Sequence, residues 1–205
     1  MSENPTRHSA DQPPQSFCGK DAKQPQIAES RKGIIETPRL VLRHFRSDDA
    51  EAVFEYASNP LIGEGAGWPA HSSVENSRDI IENILMDPDN YAITIKGDDK
   101  VIGSAGLRIA SANFGGINED EAELGYWIGQ PYWGNGYVPE VATALLDYGF
   151  NNLGLSKIYC GYFDTNTKSA RVSEKLGFNY EFTQHRDDGI TRIVNSLTRS
   201  EFLSR

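Results

Sequence analysis

Residues 121–150 read EAELGYWIGQPYWGNGYVPEVATALLDYGF, and the order strand, glycine turn, helix within this stretch decides the fold. Leu124, Tyr126 and Ile128 alternate with Glu123, Gly125 and Trp127, the period-two pattern of a strand. Gly134-Asn135-Gly136 supplies the turn. Pro139 then falls in the first helical turn, where its missing N–H has no intrahelical acceptor to lose. Val141, Ala144, Leu145 and Tyr148 follow at i, i+3, i+4 and i+7, one apolar helical stripe. A glycine turn opening a helix presents free backbone N–H groups and the positive end of the helix dipole, which suits a phosphate. Two common nucleotide motifs are excluded. Position 139 is proline where the dinucleotide fingerprint needs a third glycine, and no Gly-x-x-x-x-Gly-Lys occurs.

Working outward, Arg39 to Phe45 reads as a first strand, and Ser47-Asp48-Asp49 caps a helix with Ala50, Val53, Phe54 and Ala57 on one face. Residues 63–69, GEGAGWP, read as a flexible loop ending in a large aromatic. Ser72 and Glu75 have the spacing of a capping box for a second helix carrying Ile80, Ile81, Ile84 and Leu85. Tyr91–Lys96 and Lys100–Ile109 are strands around Gly97-Asp98-Asp99, and residues 113–120 form a polar loop. Beyond the central stretch, Lys157–Phe163 is a strand. A short helix starts at Asn166 or Thr167 and stops at Gly177, and a hairpin around Asp187-Asp188-Gly189 closes the chain.

Four segments in this order resemble the GNAT acetyltransferases, in the branch that acetylates protein N-termini (the ribosomal-protein alanine N-acetyltransferases of RimJ/RimL type). They are Glu36-Thr37-Pro38-Arg39-Leu40-Val41-Leu42-Arg43, Val101-Ile102-Gly103, the central stretch, and Asp164 to Ser169 with Glu174 to Phe178. The resemblance runs from about residue 34 to the end. It implies an α/β (α+β) fold with a mixed, mostly antiparallel sheet, a central splayed parallel strand pair and flanking helices. It also implies acetyl-CoA as cofactor. Its pyrophosphate would lie on the turn, among Trp133, Gly134, Asn135, Gly136, Tyr137 and Val138. The rest of the cofactor would lie along Tyr126, Trp127 and Ile128, with Asn166 and Ser169 as a contacting pair. The segment with Trp68 and His71 borders the acceptor in that family.

Acetyl transfer from a thioester to an amine needs a neutral amine, stabilisation of the oxyanion and a proton for the thiolate. An α-amine of pKa ~7.8 costs about 1 kcal/mol to deprotonate at pH 7, a lysine of pKa ~10.4 about 4.6 kcal/mol. Glu123, on the central strand, is the candidate base. The resemblance points to the Ile128 N–H for the oxyanion. Many relatives carry a tyrosine in the last helix as thiolate donor, but that position here is Ser173, so Ser173, Ser169 or a water takes its place. Pro131 also stands where the general superfamily turn begins with Arg or Gln.

Composition sets the frame. A chain of 205 residues suits one domain, expected over residues 33–205, after a leader, 1–32, too polar to offset its own ordering. The net charge is −9, and residues 33–205 hold 15 basic against 25 acidic side chains. Such a surface argues against nucleic acid and suits a cationic amine. It also means that an anionic cofactor must be held by local features. Two cysteines form no disulfide framework, and no apolar run reaches the ~18–20 residues that span a bilayer, so a cytoplasmic protein, monomer or homodimer, is expected without membrane attachment. No metal site is expected. The acceptor is an amine, expected to be a ribosomal or other protein N-terminus. The alternatives are a small amine (polyamine, amino acid or antibiotic) and a catalytically silent acyl-CoA-binding module.

Overall fold

The computed structural model describes residues 33–186 and 189–205; the expected leader and the Asp187-Asp188 tip of the last hairpin lie outside them. The chain opens as a hairpin of β1 (Ile34–Glu36) and β2 (Leu40–Arg43). The strand expected over Arg39–Phe45 is β2, shorter at both ends, and β1 before it is an addition; between them Thr37 N–H turns to the Leu40 carbonyl at 3.0 Å. A 3₁₀ turn, Ser47–Asp49, leads into α1 (Ala50–Ala57), fixed by a bidentate pair from Arg43 to buried Asp49 at 2.7 and 2.8 Å. Ala50, Val53 and Ala57 are buried.

The loop expected over 63–69 is largely α2 (Pro60–Ala66). Asn59 caps it by accepting the Leu61 N–H at 3.0 Å, Pro60 takes the first turn, and Gly67 ends it at φ +85°. The glycines inside it weaken the helical pattern, but the caps and packing against the sheet hold it. The next cap is Ser73, which accepts from Asn76 N–H at 3.1 Å, rather than Ser72. It starts α3 (Val74–Ile80), which continues as a wider π turn, Ile81–Leu85. The extra residue per turn rotates the stripe, so Ile81 is buried while Ile84 is 65% exposed.

Then come β3 (Asn90–Ile95), β4 (Val101–Ile109), β5 (Glu121–Ile128), α4 (Tyr137–Asp147) with a π turn over Tyr148–Asn152, and β6 (Lys157–Phe163). The chain ends with α5 (Thr167–Lys175), β7 (Asn179–His185), β8 (Thr191–Thr198) and a short α6 (Arg199–Leu203) that the sequence did not suggest. One sheet results, in the order β1-β2-β3-β4-β5-β6-β8-β7, antiparallel except for β5 and β6. Leu145, Leu146 and Phe150 of α4 and its π turn join Leu107, Leu124 and Ile158 in the larger core on one face. Phe45, Val53, Ile81, Ala92 and Val101 make the smaller core on the other.

The parallel pair is short. Glu121, Ala122 and Glu123 pair with Lys157, Ile158 and Tyr159, after which the two strands diverge. This is the splayed pair that the resemblance implied.

Candidate active site

The V between β5 and β6 leaves backbone groups unused. Gly129 N–H bonds to the Ile102 carbonyl at 2.8 Å, and Ile128 faces Gly103. In an antiparallel ladder the bonded pairs alternate, so the N–H groups of Ile128 and Tyr126 turn away from β4 and into the V. The Ile128 carbonyl is taken by the Trp133 indole N–H at 2.9 Å, which fixes the start of the turn.

Gly134 and Gly136 both have left-handed backbones, φ +79° and +77°, a conformation that costs a residue with a Cβ about 1–2 kcal/mol. Nothing lies within 4 Å of where a Cβ of Gly134 would be, so the backbone there is open to a ligand. Gly136 is the N-cap residue just before α4. The turn is clamped from β2 and the bend before it. Glu140, in the first turn of α4, accepts from Thr37 Oγ1 at 2.6 Å, Arg39 N–H at 2.9 Å and Arg39 Nε at 2.7 Å. Arg39 Nη1 in turn donates to the Asn135 carbonyl at 3.0 Å. Burial pushes the Glu140 carboxyl up, but these donors outweigh it and bring its pKa below 4.5, so the clamp is fully charged at neutral pH and lost as pH falls through that lowered value. Glu140→Ala is expected to raise the Kd for coenzyme A about tenfold with the fold retained, a loss of about 1.4 kcal/mol readable by calorimetric titration.

A cleft of about 530 Å³ runs along this turn, the exposed end of β5, α5 and α2. It brings together Tyr126, Trp127 and Ile128, and also Trp133, Gly134, Gly136, Tyr137 and Val138. Asn166 and Ser169 line it too: Asn166 caps α5 by accepting the Ser169 N–H at 3.1 Å and ties α5 to α2 through the Gly65 carbonyl at 3.0 Å. The sequence reading missed two walls. One is α2, with Leu61 and Glu64; the other is the row Lys168, Arg171 and Lys175 on α5. Lys168 Nζ stands 3.7 Å over the Trp133 ring. In a chain of net charge −9, this row makes one wall of the cleft locally cationic, a local feature of the kind an anionic ligand would need. Its i, i+3, i+7 spacing was visible in the sequence.

Other candidates lie off the cleft. Ser173 is fully buried, its Oγ accepting from Asn195 Nδ2 at 2.9 Å. Asn135 meets the clamp through its carbonyl. Trp68 packs edge-on against Trp127, ring centres 6.1 Å apart, and beside His71. His71 is buried, its Nδ1 2.8 Å from Ser77 Oγ, and burial lowers its pKa. Glu123 is 4% exposed. Its Oε2 accepts from Asn113 N–H at 2.7 Å and lies 3.4 Å from Arg108 Nη1, while Oε1 is 3.7 Å from Arg192 Nη1. Gly161 makes that approach possible, since a Cβ there would be 3.1 Å from Glu123 Oε1 and 3.4 Å from Arg192 Cδ. Burial raises the Glu123 pKa, and the Asn113 amide and the two arginines pull it only part of the way back. Among the described residues no cluster of side chains forms a metal site, and no helix is long and apolar enough to cross a membrane.

A left-handed glycine turn at a helix N-terminus, N–H groups facing into a V and a cationic wall would fit a phosphate-bearing acyl donor whose carbonyl meets the strand. Comparison with known proteins agrees. The family model for the acetyltransferase (GNAT) domain matches residues 39–179. The chain is 30% identical over 152 residues to the uncharacterized N-acetyltransferase p20 of Bacillus licheniformis, spanning 72% of this chain and 83% of that one. To YoaA of Bacillus subtilis, also an uncharacterized N-acetyltransferase, it is 31% identical over 153 residues, with 72% and 84% covered. A GNAT-family acetyltransferase structure from Bacillus anthracis superposes with TM-score 0.72 at 25% identity, covering 82% of this chain and 99% of that one. The chain belongs to the GNAT acetyltransferase family. It is an N-acetyltransferase, and the silent-module alternative is set aside.

Proposed function

We propose that this protein transfers the acetyl group of acetyl-CoA to a primary α-amine at a protein or peptide N-terminus, in the manner of the RimJ/RimL branch, and that it does so in the cytoplasm. One observation carries the acceptor. Among the residues lining the cleft there is one carboxylate, Glu64, and no histidine. A site so poor in bases suits the amine that is cheapest to deprotonate, about 1 kcal/mol at pH 7 against about 4.6 for a lysine. The motif Tyr126-Trp127-Ile128 to Tyr137-Val138 supports the same branch by its wording.

Acetyl-CoA supplies an activated acyl carbon on a thiol leaving group. Residues of this chain would hold it as follows. The Gly134 to Val138 amides and the α4 dipole meet the pyrophosphate, with Arg39 and Glu140 keeping the turn in shape. Lys168, Arg171 and Lys175 add positive charge along the same wall. The Ile128 N–H, turned into the V, donates to the oxygen that becomes negative. Glu123 receives the amine's proton through water. Burial gives it a basicity above that of an ordinary carboxylate and closer to working pH, which favours that task.

A small-amine acceptor is the alternative. Thiol release from acetyl-CoA, measured with peptides bearing free or blocked N-termini and with polyamines and amino acids, separates the two. Turnover confined to free N-terminal peptides supports the proposal, and turnover confined to small amines refutes it.

A further inference from the structure

The family position for a thiolate donor, on α5, is occupied by Ser173, and its hydroxyl is enclosed and engaged with Asn195. A phenol nevertheless reaches this region from β5. Tyr126 projects from β5, its ring lines the cleft, and its Oη is buried without a hydrogen bond of good geometry to the protein. That hydroxyl lies beside Ser169 and the Cys160 thiol, and Cys160 in turn lies beside Ser173. Tyr126 and Ser173 thus stand beside the same thiol from two different elements. A buried hydroxyl that is poorly paired costs roughly 1–3 kcal/mol, and an acceptor atom of a ligand in the cleft would relieve that cost.

We propose that Tyr126 is a catalytic residue: its hydroxyl donates a hydrogen bond to the sulfur of the acyl donor as the thiol leaves. The inference rests on the acetyl-CoA reading above. The amine nitrogen adds to the thioester carbonyl carbon, forming the C–N bond. The C–S bond then breaks with its electron pair passing to sulfur, and Tyr126 holds that charge by its O–H. The amine has already given one proton through water to Glu123 before it attacks; the surplus proton of the added nitrogen passes to solvent water, and sulfur takes one from solvent on release, so the products are amide and thiol. Tyr126 keeps its own proton throughout. Burial holds it well above the ordinary phenol range, which makes it a weaker acid than a thiol and fits a donor that is never consumed. Its neighbours are the Cys160 thiol, pushed up to about 12, and the Tyr162 phenol, also raised by burial, so neither carries charge at neutral pH.

The test is Tyr126→Phe, which removes one oxygen. Three results are expected. The melting temperature is unchanged or higher, because a poorly paired buried hydroxyl has been deleted. The kcat for acetyl transfer falls about 10²-fold, while the Kd for coenzyme A changes less than the rate. Wild-type protein binds coenzyme A about three- to tenfold more tightly than desulfo-coenzyme A, and the variant binds the two equally. That binding comparison reads the sulfur contact without turnover. If wild-type protein transferred acetyl to no amine, the functional reading would fail while the coenzyme comparison still reported on Tyr126. Wild-type kcat together with an unchanged preference for coenzyme A in the variant would overturn the assignment, as would a larger loss of kcat in Ser173→Ala than in Tyr126→Phe.

Discussion

Gly136→Asp is expected to abolish binding of coenzyme A, raising Kd by at least ~100-fold, in a protein that still folds. Two effects act together. The backbone at 136 is left-handed, φ +77°, which costs a residue with a side chain about 1–2 kcal/mol. The new carboxylate would also stand at the N-terminus of α4, where the proposal puts the pyrophosphate. Like charges about 4 Å apart near a protein surface repel by about 4 kcal/mol, and 2.7 kcal/mol already gives a hundredfold. A Cβ at 136 would lie 3.7 Å from Arg39 Nη2, so the carboxylate would further compete with Glu140 for the clamp. Gly136→Ala, with the strain but not the charge, should lose much less. Calorimetric titration beside circular dichroism checks both, and normal affinity in a folded Gly136→Asp protein would remove the turn from the site.

Glu123→Gln is expected to lower the transfer rate about 10²–10⁴-fold, the usual range for loss of a general base. The amide keeps the shape and can still accept from Asn113, so affinity for coenzyme A should hold. The sign of the pH dependence distinguishes the roles. As pH rises toward ~7.8 more of an α-amine is already neutral, so a variant lacking only its base should close the gap. The rate of the wild-type protein should fall on the acid side as Glu123 protonates, at a pH above the ordinary glutamate value because burial raises its pKa. A deficit that stays constant with pH would mean that Glu123 serves to seat Arg108 and Arg192 instead, and equal rates would exclude it as base.

The central strand, glycine turn and helix were legible because each is a local pattern. Period two, a left-handed turn and period 3.6 follow one another within residues 121–150. Helix α2 was missed for an equally local reason. Gly63, Gly65 and Gly67 read as a loop, and they outweighed the Asn59-Pro60 start and the Gly67 stop, although caps such as these define a short helix better than propensity does. The π turns after α3 and α4 insert one residue into a repeat, and no residue type announces that.

The site was legible wherever contact follows chain order, as in the turn and the Asn166 cap. Across the V it was not. Counting along α5 reaches Ser173, whereas the hydroxyl of Tyr126, on another element, lies beside the same Cys160 thiol, a neighbourhood that no local spacing announces. Arg39 and Glu140, 101 residues apart, meet for the same tertiary reason.

The most direct test of the account is steady-state thiol release from acetyl-CoA with a short peptide carrying a free N-terminal α-amine, beside the same peptide with that amine blocked. The account predicts saturable release and one added acetyl group, located at the α-amine, with the free peptide, and background release with the blocked one. Equal release from both, acetylation at a lysine side chain, or turnover with small amines alone would contradict it.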